Sequence, residues 1–180
     1  MMSVTFNAIE IFEIAERIER NGVKFYRKAA EGLSDEDIRQ TLLSLAEMEA
    51  EHEETFANMR KQISHKEREL ITFDPENEMT LYLQAIANGH IFEMKKDPSE
   101  QLTGKETIDD ILKLAIEAEK DSIVFYLGLK NFVPAKVGKD KVEEIITEEM
   151  GHIVVLNQRL AALKYLNEFR LKPTANEITQ

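Results

Sequence analysis

A chain of 180 residues, 43% apolar and 32% charged, is long enough for one domain with a real core and too hydrophobic for a disordered polymer. Its net charge of −11 argues against nonspecific binding to nucleic acid or an anionic membrane and suits a protein that attracts cations, although most of the acids are read as ordinary surface charge. With no cysteine, disulfides, cysteine-held iron–sulfur clusters, cysteine nucleophiles and zinc ribbons are excluded.

No apolar run reaches the roughly 18 residues of a membrane span, and Met1 to Asn7 lack a basic-then-apolar signal pattern. A cytoplasmic protein with no membrane partner is expected. Glycine and proline number only 7 and 4, so the chain has few places to turn. Long helices with few loops follow, built on abundant Glu and Lys.

Helix one is expected from about Asn7 to Glu31. Ile11, Ile14, Ala15, Ile18, Val23, Phe25, Ala29 and Ala30 fall at helical rather than strand spacing. Gly32 fits a stop. Ser34, followed by Asp35, Glu36 and Asp37, reads as the N-cap of helix two with acids in its first turn. Helix two runs to about Ile63, with Ile38, Leu42, Leu45, Ala46, Phe56 and Met59 facing inward.

From His65 to Glu106 the pattern changes. Asp74-Pro75 starts a turn, Met79 to Ala87 reads as a short helix, Asn88-Gly89 ends it, and Asp97-Pro98 and Gly104 punctuate the remainder. A structureless link of this length would be unusual, so the segment is read as a crossover along the bundle carrying its own short helix. Thr107 and Asp110 resemble a capping box opening helix three, which runs to about Phe132. Pro134 and Gly138 bracket a turn, helix four spans about Lys139 to Phe169, and a polar tail follows from about residue 170. The whole is read as one all-α domain.

Two stretches repeat the same chemistry 100 residues apart. Glu19, Phe25, Tyr26, Glu49 and His52 recur as Glu119, Phe125, Tyr126, Glu149 and His152. Apolar repetition is ordinary in helices, but carboxylates and imidazoles do not build cores. A Glu from each of two helices and a Glu-x-x-His from each of the other two is the ligand set of a dinuclear metal site inside a four-helix bundle.

The spacing supports this. At 1.5 Å rise per residue, Glu19 lies roughly 18 Å before the end of helix one and Glu49 roughly 21 Å after the start of helix two, so a tight hairpin brings them level. Glu119 and Glu149 stand likewise around the turn at Pro134. Residues three apart share a helix face, so Glu49 and His52, and Glu149 and His152, point inward together. Tyr26 and Tyr126 follow Glu19 and Glu119 by two turns on the same face and are candidates to hydrogen-bond a metal-bound carboxylate. Four buried carboxylates would repel and resist ionisation without counter-ions, which two divalent cations supply. Oxygen-rich ligands with one imidazole per metal favour iron or manganese, with zinc a possible substitute.

The bland readings cover the rest. His65, among Lys66, Glu67 and Arg68, is read as solvated, and His90 as a loop residue. Phe25 and Phe125 are read as core. Glu47, Glu51, Glu53, Glu54 and Glu148 are read mostly as surface charge, any one of which could sit around the ligands or on an iron entry path.

At these residues the chain resembles the ferritin-like superfamily, and within it the rubrerythrin-like branch. Ile18 to Tyr26 (IERNGVKFY) and Leu45 to His52 (LAEMEAEH) are close to that branch's patterns in helices one and two. The resemblance covers roughly residues 7 to 169. It implies a left-handed four-helix bundle with a long crossover between helices two and three, and a non-haem di-iron centre. By analogy with bacterioferritin, Glu49 and Glu149 would bridge the irons, Glu19 with His52 would complete one, and Glu119 with His152 the other.

The sequence departs from the branch twice. Rubrerythrins usually add a rubredoxin-like domain whose iron sits on four cysteines; with no cysteine here, turnover needs an external electron donor such as a rubredoxin-like carrier. Rubrerythrins also carry an extra ligand Glu three residues after the helix-three Glu, where this chain has Ser122. The resemblance implies a di-iron oxidoreductase that reduces hydrogen peroxide or dioxygen, with oxidant detoxification as the expected role; a homodimer is the expected assembly because bundle hairpins often pair. Ferroxidation with iron storage or delivery is the first alternative, although no clear fifth helix follows Phe169. A helical-bundle interaction protein with a structural or vestigial metal site is the second.

Overall fold

The computed structural model describes residues 8–63, 81–82, 102–133 and 135–170. Four long helices carry the fold: α1 (Ala8–Ala30), α2 (Glu36–Lys61), α3 (Ile108–Phe132) and α4 (Lys139–Arg170). Among the described residues there is no strand. The architecture is an all-α four-helix bundle, as the periodicity predicts. No helix among these residues is long and apolar enough to cross a membrane. Leu81 and Tyr82 are helical, and the Tyr82 hydroxyl donates to the Val124 carbonyl at 3.1 Å. The rest of the short helix expected at Met79 to Ala87, most of the expected crossover including His65 and His90, and the polar tail lie outside the described residues.

Local chemistry sets the helix ends. The α2 N-cap is Asp35, not Ser34: its carboxylate accepts from the Ile38 N–H at 3.1 Å, three residues ahead, as a cap must. Thr107 and Asp110 form the expected capping box, with Asp110 N–H donating to Thr107 Oγ1 at 3.1 Å and Thr107 N–H to Asp110 Oδ2 at 3.0 Å. Gly138, with φ +124°, closes a short 3₁₀ turn at Ala135–Val137 and lets the chain reverse into α4.

α1 packs antiparallel along α2, and α3 along α4, as two hairpins. Arg60 of α2 clamps Glu16 of α1 through two nitrogens, at 2.5 and 3.0 Å, and reaches Glu13 at 3.1 Å. Arg20 of α1 answers with Glu53 of α2 at 2.6 Å.

The core falls into two apolar clusters. One gathers Phe12, Ile18, Phe56, Met59, Phe125, Leu129, Ile145 and their neighbours. The other gathers Phe25, Ala29, Leu42, Leu45, Leu112, Ile116, Leu156 and theirs. Between them runs a layer of buried Glu and His. Phe25 and Phe125 are core residues, 2% and 0% exposed. A polar layer sealed above and below by hydrocarbon costs several kcal/mol per charge unless the groups are neutralised by each other or by metal.

Candidate metal centre

The polar layer holds all six residues of the repeated motif, one or two from each helix. Glu19 and Glu149 are 0% exposed, His152 2%, His52 and Glu119 3%, and Glu49 4%. They form two overlapping groups, each with ligand atoms within 4.8 Å of one another: Glu19, Glu49, His52 and Glu149, and Glu49, Glu119, Glu149 and His152. Adding 100 to the first set, and taking Glu149 back to Glu49, generates the second. The bundle therefore has an internal pseudo-twofold, with Glu49 and Glu149 common to both groups.

Both imidazoles present Nδ1 to this centre. His52 Nδ1 lies 3.1 Å from Glu149 Oε1 and 3.6 Å from Glu19 Oε2. His152 Nδ1 lies 2.8 Å from Glu149 Oε2, 3.3 Å from Glu49 Oε1 and 3.4 Å from Glu119 Oε1. The rings stand nearly parallel, 5.8 Å apart at 19°. None of these approaches has hydrogen-bond geometry: both Nδ1 atoms, both oxygens of Glu149, Glu19 Oε2 and Glu49 Oε1 are buried without a hydrogen-bond partner. So many inward-facing orphan atoms in one layer contradict the ordinary rule that buried polar atoms are paired. They fit instead ligands converging on cations, and the carboxylate-and-imidazole donor set fits iron or manganese.

The protonation state of the metal-free cluster points the same way. Burial, helped by neighbouring Glu149, pushes Glu19 and Glu119 up to about 8, and burial with the Glu119 charge holds Glu49 well above the carboxylate range. Burial would lower the histidines, but surrounding carboxylates win, carrying His52 to about 9 and His152 to about 12. Glu149 runs the other way: burial and the Glu49 charge would raise it, and contacts with His152 and His52 bring it below its ordinary value. Without metal, protons do the neutralising that cations otherwise perform.

The tyrosines hold the outer edges of the carboxylates, but across the hairpins. Tyr26 of α1 donates to Glu119 of α3, and Tyr126 of α3 donates to Glu19 of α1. Seven residues along one helix is about 10.5 Å of rise, too far for Tyr26 to meet Glu19. The antiparallel run of α1 and α3 brings each tyrosine level with the other helix's Glu. Both phenols are fully enclosed, and burial followed by the adjacent carboxylate charge drives them well above 10, so they remain donors.

Three features escape the motif. Glu148, grouped above with surface charge or the surroundings of the ligands, accepts from or donates to His52 Nε2 at 2.7 Å and is half-exposed. Gly22 faces the site: a Cβ there would lie 3.1 Å from Glu49 Cγ, Cδ and Oε2, so its missing side chain makes room for that carboxylate. Ser122, at the extra-carboxylate position, is buried, but its hydroxyl turns back to the Ala118 carbonyl at 3.1 Å and joins neither group.

A four-helix bundle with a Glu from two helices, a Glu-x-x-His from the other two, and two shared carboxylates defines a ferritin-like di-metal carboxylate protein. The chain belongs to the rubrerythrin family, whose profile matches residues 7–97, just over half its length. Its fold is also similar to the crystal structure of a Thermotoga maritima protein provisionally assigned as a ferritin-like diiron-carboxylate protein, with 28% identity and a TM-score of 0.69, covering 87% of this chain and 96% of that one. No curated protein matches the chain.

Proposed function

We propose that this chain is a di-iron oxidoreductase reducing hydrogen peroxide or dioxygen, with electrons from an external donor such as a rubredoxin-like carrier. The observation that carries the reading is the pair of buried ligand groups sharing Glu49 and Glu149, which suits two metal ions acting together rather than two separate ones. Iron bound there would supply the redox chemistry, one electron per ion, so that H₂O₂ + 2 e⁻ + 2 H⁺ gives two waters. The 180 residues contain no cysteine and hence no thiolate relay, so re-reduction comes from outside them.

The chain's own residues set the geometry and the environment. Tyr26 and Tyr126 fix the Glu119 and Glu19 carboxylates, and the two apolar clusters exclude water on either side. Glu49 and Glu149, the carboxylates common to both groups, take no hydrogen bond from either tyrosine.

Ser122 favours a second reading, ferroxidation for iron storage or delivery. With that hydroxyl turned to the Ala118 carbonyl, the site offers six ligands and no extra carboxylate. Stopped-flow absorbance of the anaerobic di-Fe(II) protein, mixed separately with peroxide and with air-saturated buffer, decides between them. Faster oxidation by peroxide with iron retained supports the peroxidase. Faster oxidation by dioxygen with release of ferric iron supports iron handling and overturns the first reading.

A further inference from the structure

Among the pairs at which the pseudo-twofold is broken, one lies against a ligand-set histidine. The 100-residue repeat relates Glu148 to Met48. On one side of the centre, Glu148 of α4 reaches across to α2 and engages His52 Nε2 at 2.7 Å. On the other, the related reach from α2 to α4 belongs to Met48, whose thioether offers no comparable acceptor. His152 Nε2 is accordingly buried with no hydrogen-bond partner, while His52 Nε2 has one. Met48 and His152 both line a groove of about 560 Å³ between α2 and α4, with Glu148, Gly151, Val155 and Arg159 also along it.

This difference matters because of which nitrogen each ring turns inward. Both histidines face the carboxylates with Nδ1, so Nε2 is the nitrogen whose partner tunes each ring. A carboxylate on the outer N–H of a ligating histidine fixes the ring and makes its other nitrogen a better donor; losing such a partner typically lowers metal affinity about 10- to 100-fold. His52 has that support and His152 does not.

We propose that Glu148 is a positioning residue that makes the two metal sites unequal. The His52 site, with Glu19, fills first and holds its ion about 10- to 100-fold more tightly. The His152 site, with Glu119, fills second and exchanges through the α2–α4 groove. The proposal rests on the dinuclear reading above.

Repulsion between two dications also separates two binding steps, even in a symmetric site, so the order of filling is the diagnostic. Metal-free protein with ¹⁵N-labelled histidine is titrated with Zn(II) while the ring resonances of His52 and His152 are followed by NMR. In the wild type, the first equivalent is expected to shift His52 and leave His152 at its metal-free position. Glu148→Gln, which keeps an acceptor oxygen without the charge, preserves the order with a narrowed gap. The exchange variant Glu148→Met with Met48→Glu changes two side chains at the bundle surface and is expected to reverse the order.

Filling of His152 first in the wild type, equal filling of both at one equivalent, or the wild-type order surviving in the exchange variant would overturn the proposal. Saturation below two zinc ions per chain would overturn the dinuclear reading and the proposal with it. Two ions bound in the wrong order would overturn the proposal alone.

Discussion

Gly22→Ala is expected to separate stability from metal binding. Gly22 lies within α1, and alanine in a helix interior is favoured over glycine by about 1 kcal/mol. The added Cβ would stand 3.1 Å from three atoms of the Glu49 side chain, against roughly 3.5–4.0 Å for an unstrained contact. Glu49 must therefore move by several tenths of an ångström. Ligand positions tolerate only about ±0.2 Å before coordination suffers, and Glu49 belongs to both metal groups.

The metal-free variant is expected to melt within a few degrees of the wild type, because the helix gain offsets the displacement of a flexible side chain. Affinity for the metal pair is expected to fall at least about tenfold, the scale on which disturbed ligand geometry acts. Chelator-competition titration with Zn(II), beside thermal melts in EDTA, reads both quantities. Wild-type affinity for two ions in the variant would refute the placement of Glu49 against Gly22.

Three further outcomes follow from the same geometry. Glu49→Ala and Glu149→Ala each remove a carboxylate common to both groups and should abolish paired-metal binding; two irons per chain in both variants would show the site is misassigned. Tyr126→Phe removes the donor to Glu19 and should weaken metal binding about tenfold while Glu19, mainly neutral in the metal-free state, loses a hydrogen bond of about 0.5–1.5 kcal/mol; an unchanged Zn(II) affinity would dismiss that role. Finally, Glu19 and Glu119 rise from 4.5 to about 8 and His52 from 6.5 to about 9 on folding, so the folded metal-free chain holds more protons than the unfolded chain across those windows. Stability from these groups is therefore lost as pH rises from about 4.5 to 9; the lowered Glu149 acts in the opposite sense, with its contribution lost as pH falls below 4.5. Metal expels the same protons, so its stabilisation grows with pH. Melts at pH 6 and 8.5, with EDTA and with Zn(II), should show the gap between loaded and metal-free protein widening at the higher pH; a gap that narrows would contradict these shifts.

Much of the site could be read from spacing because its ligands obey helix periodicity. The 100-residue repeat and the i, i+3 pairs name all six inward-facing residues before any coordinate is known. Where the reading depended on relations between hairpins, it fell short. Tyr26 is in helical register with Glu19, yet its partner is Glu119, a contact created by packing α1 against α3. Glu148 looks like any other acid on an acidic helix until α4 lies beside α2 and His52 Nε2 comes within 2.7 Å. Gly22 carries no side chain to signal that Glu49 fills the space beside it. Ser34 and Asp35 are both good caps, and in the folded chain it is Asp35 that accepts from the Ile38 N–H.

Anaerobic titration of the metal-free protein with Fe(II), followed by Mössbauer spectroscopy after oxidation, tests the central claim most directly. Two irons per chain, giving one antiferromagnetically coupled diferric pair, is the expected result. One iron per chain, none, or two uncoupled ferric ions would contradict a centre in which Glu49 and Glu149 serve both metals.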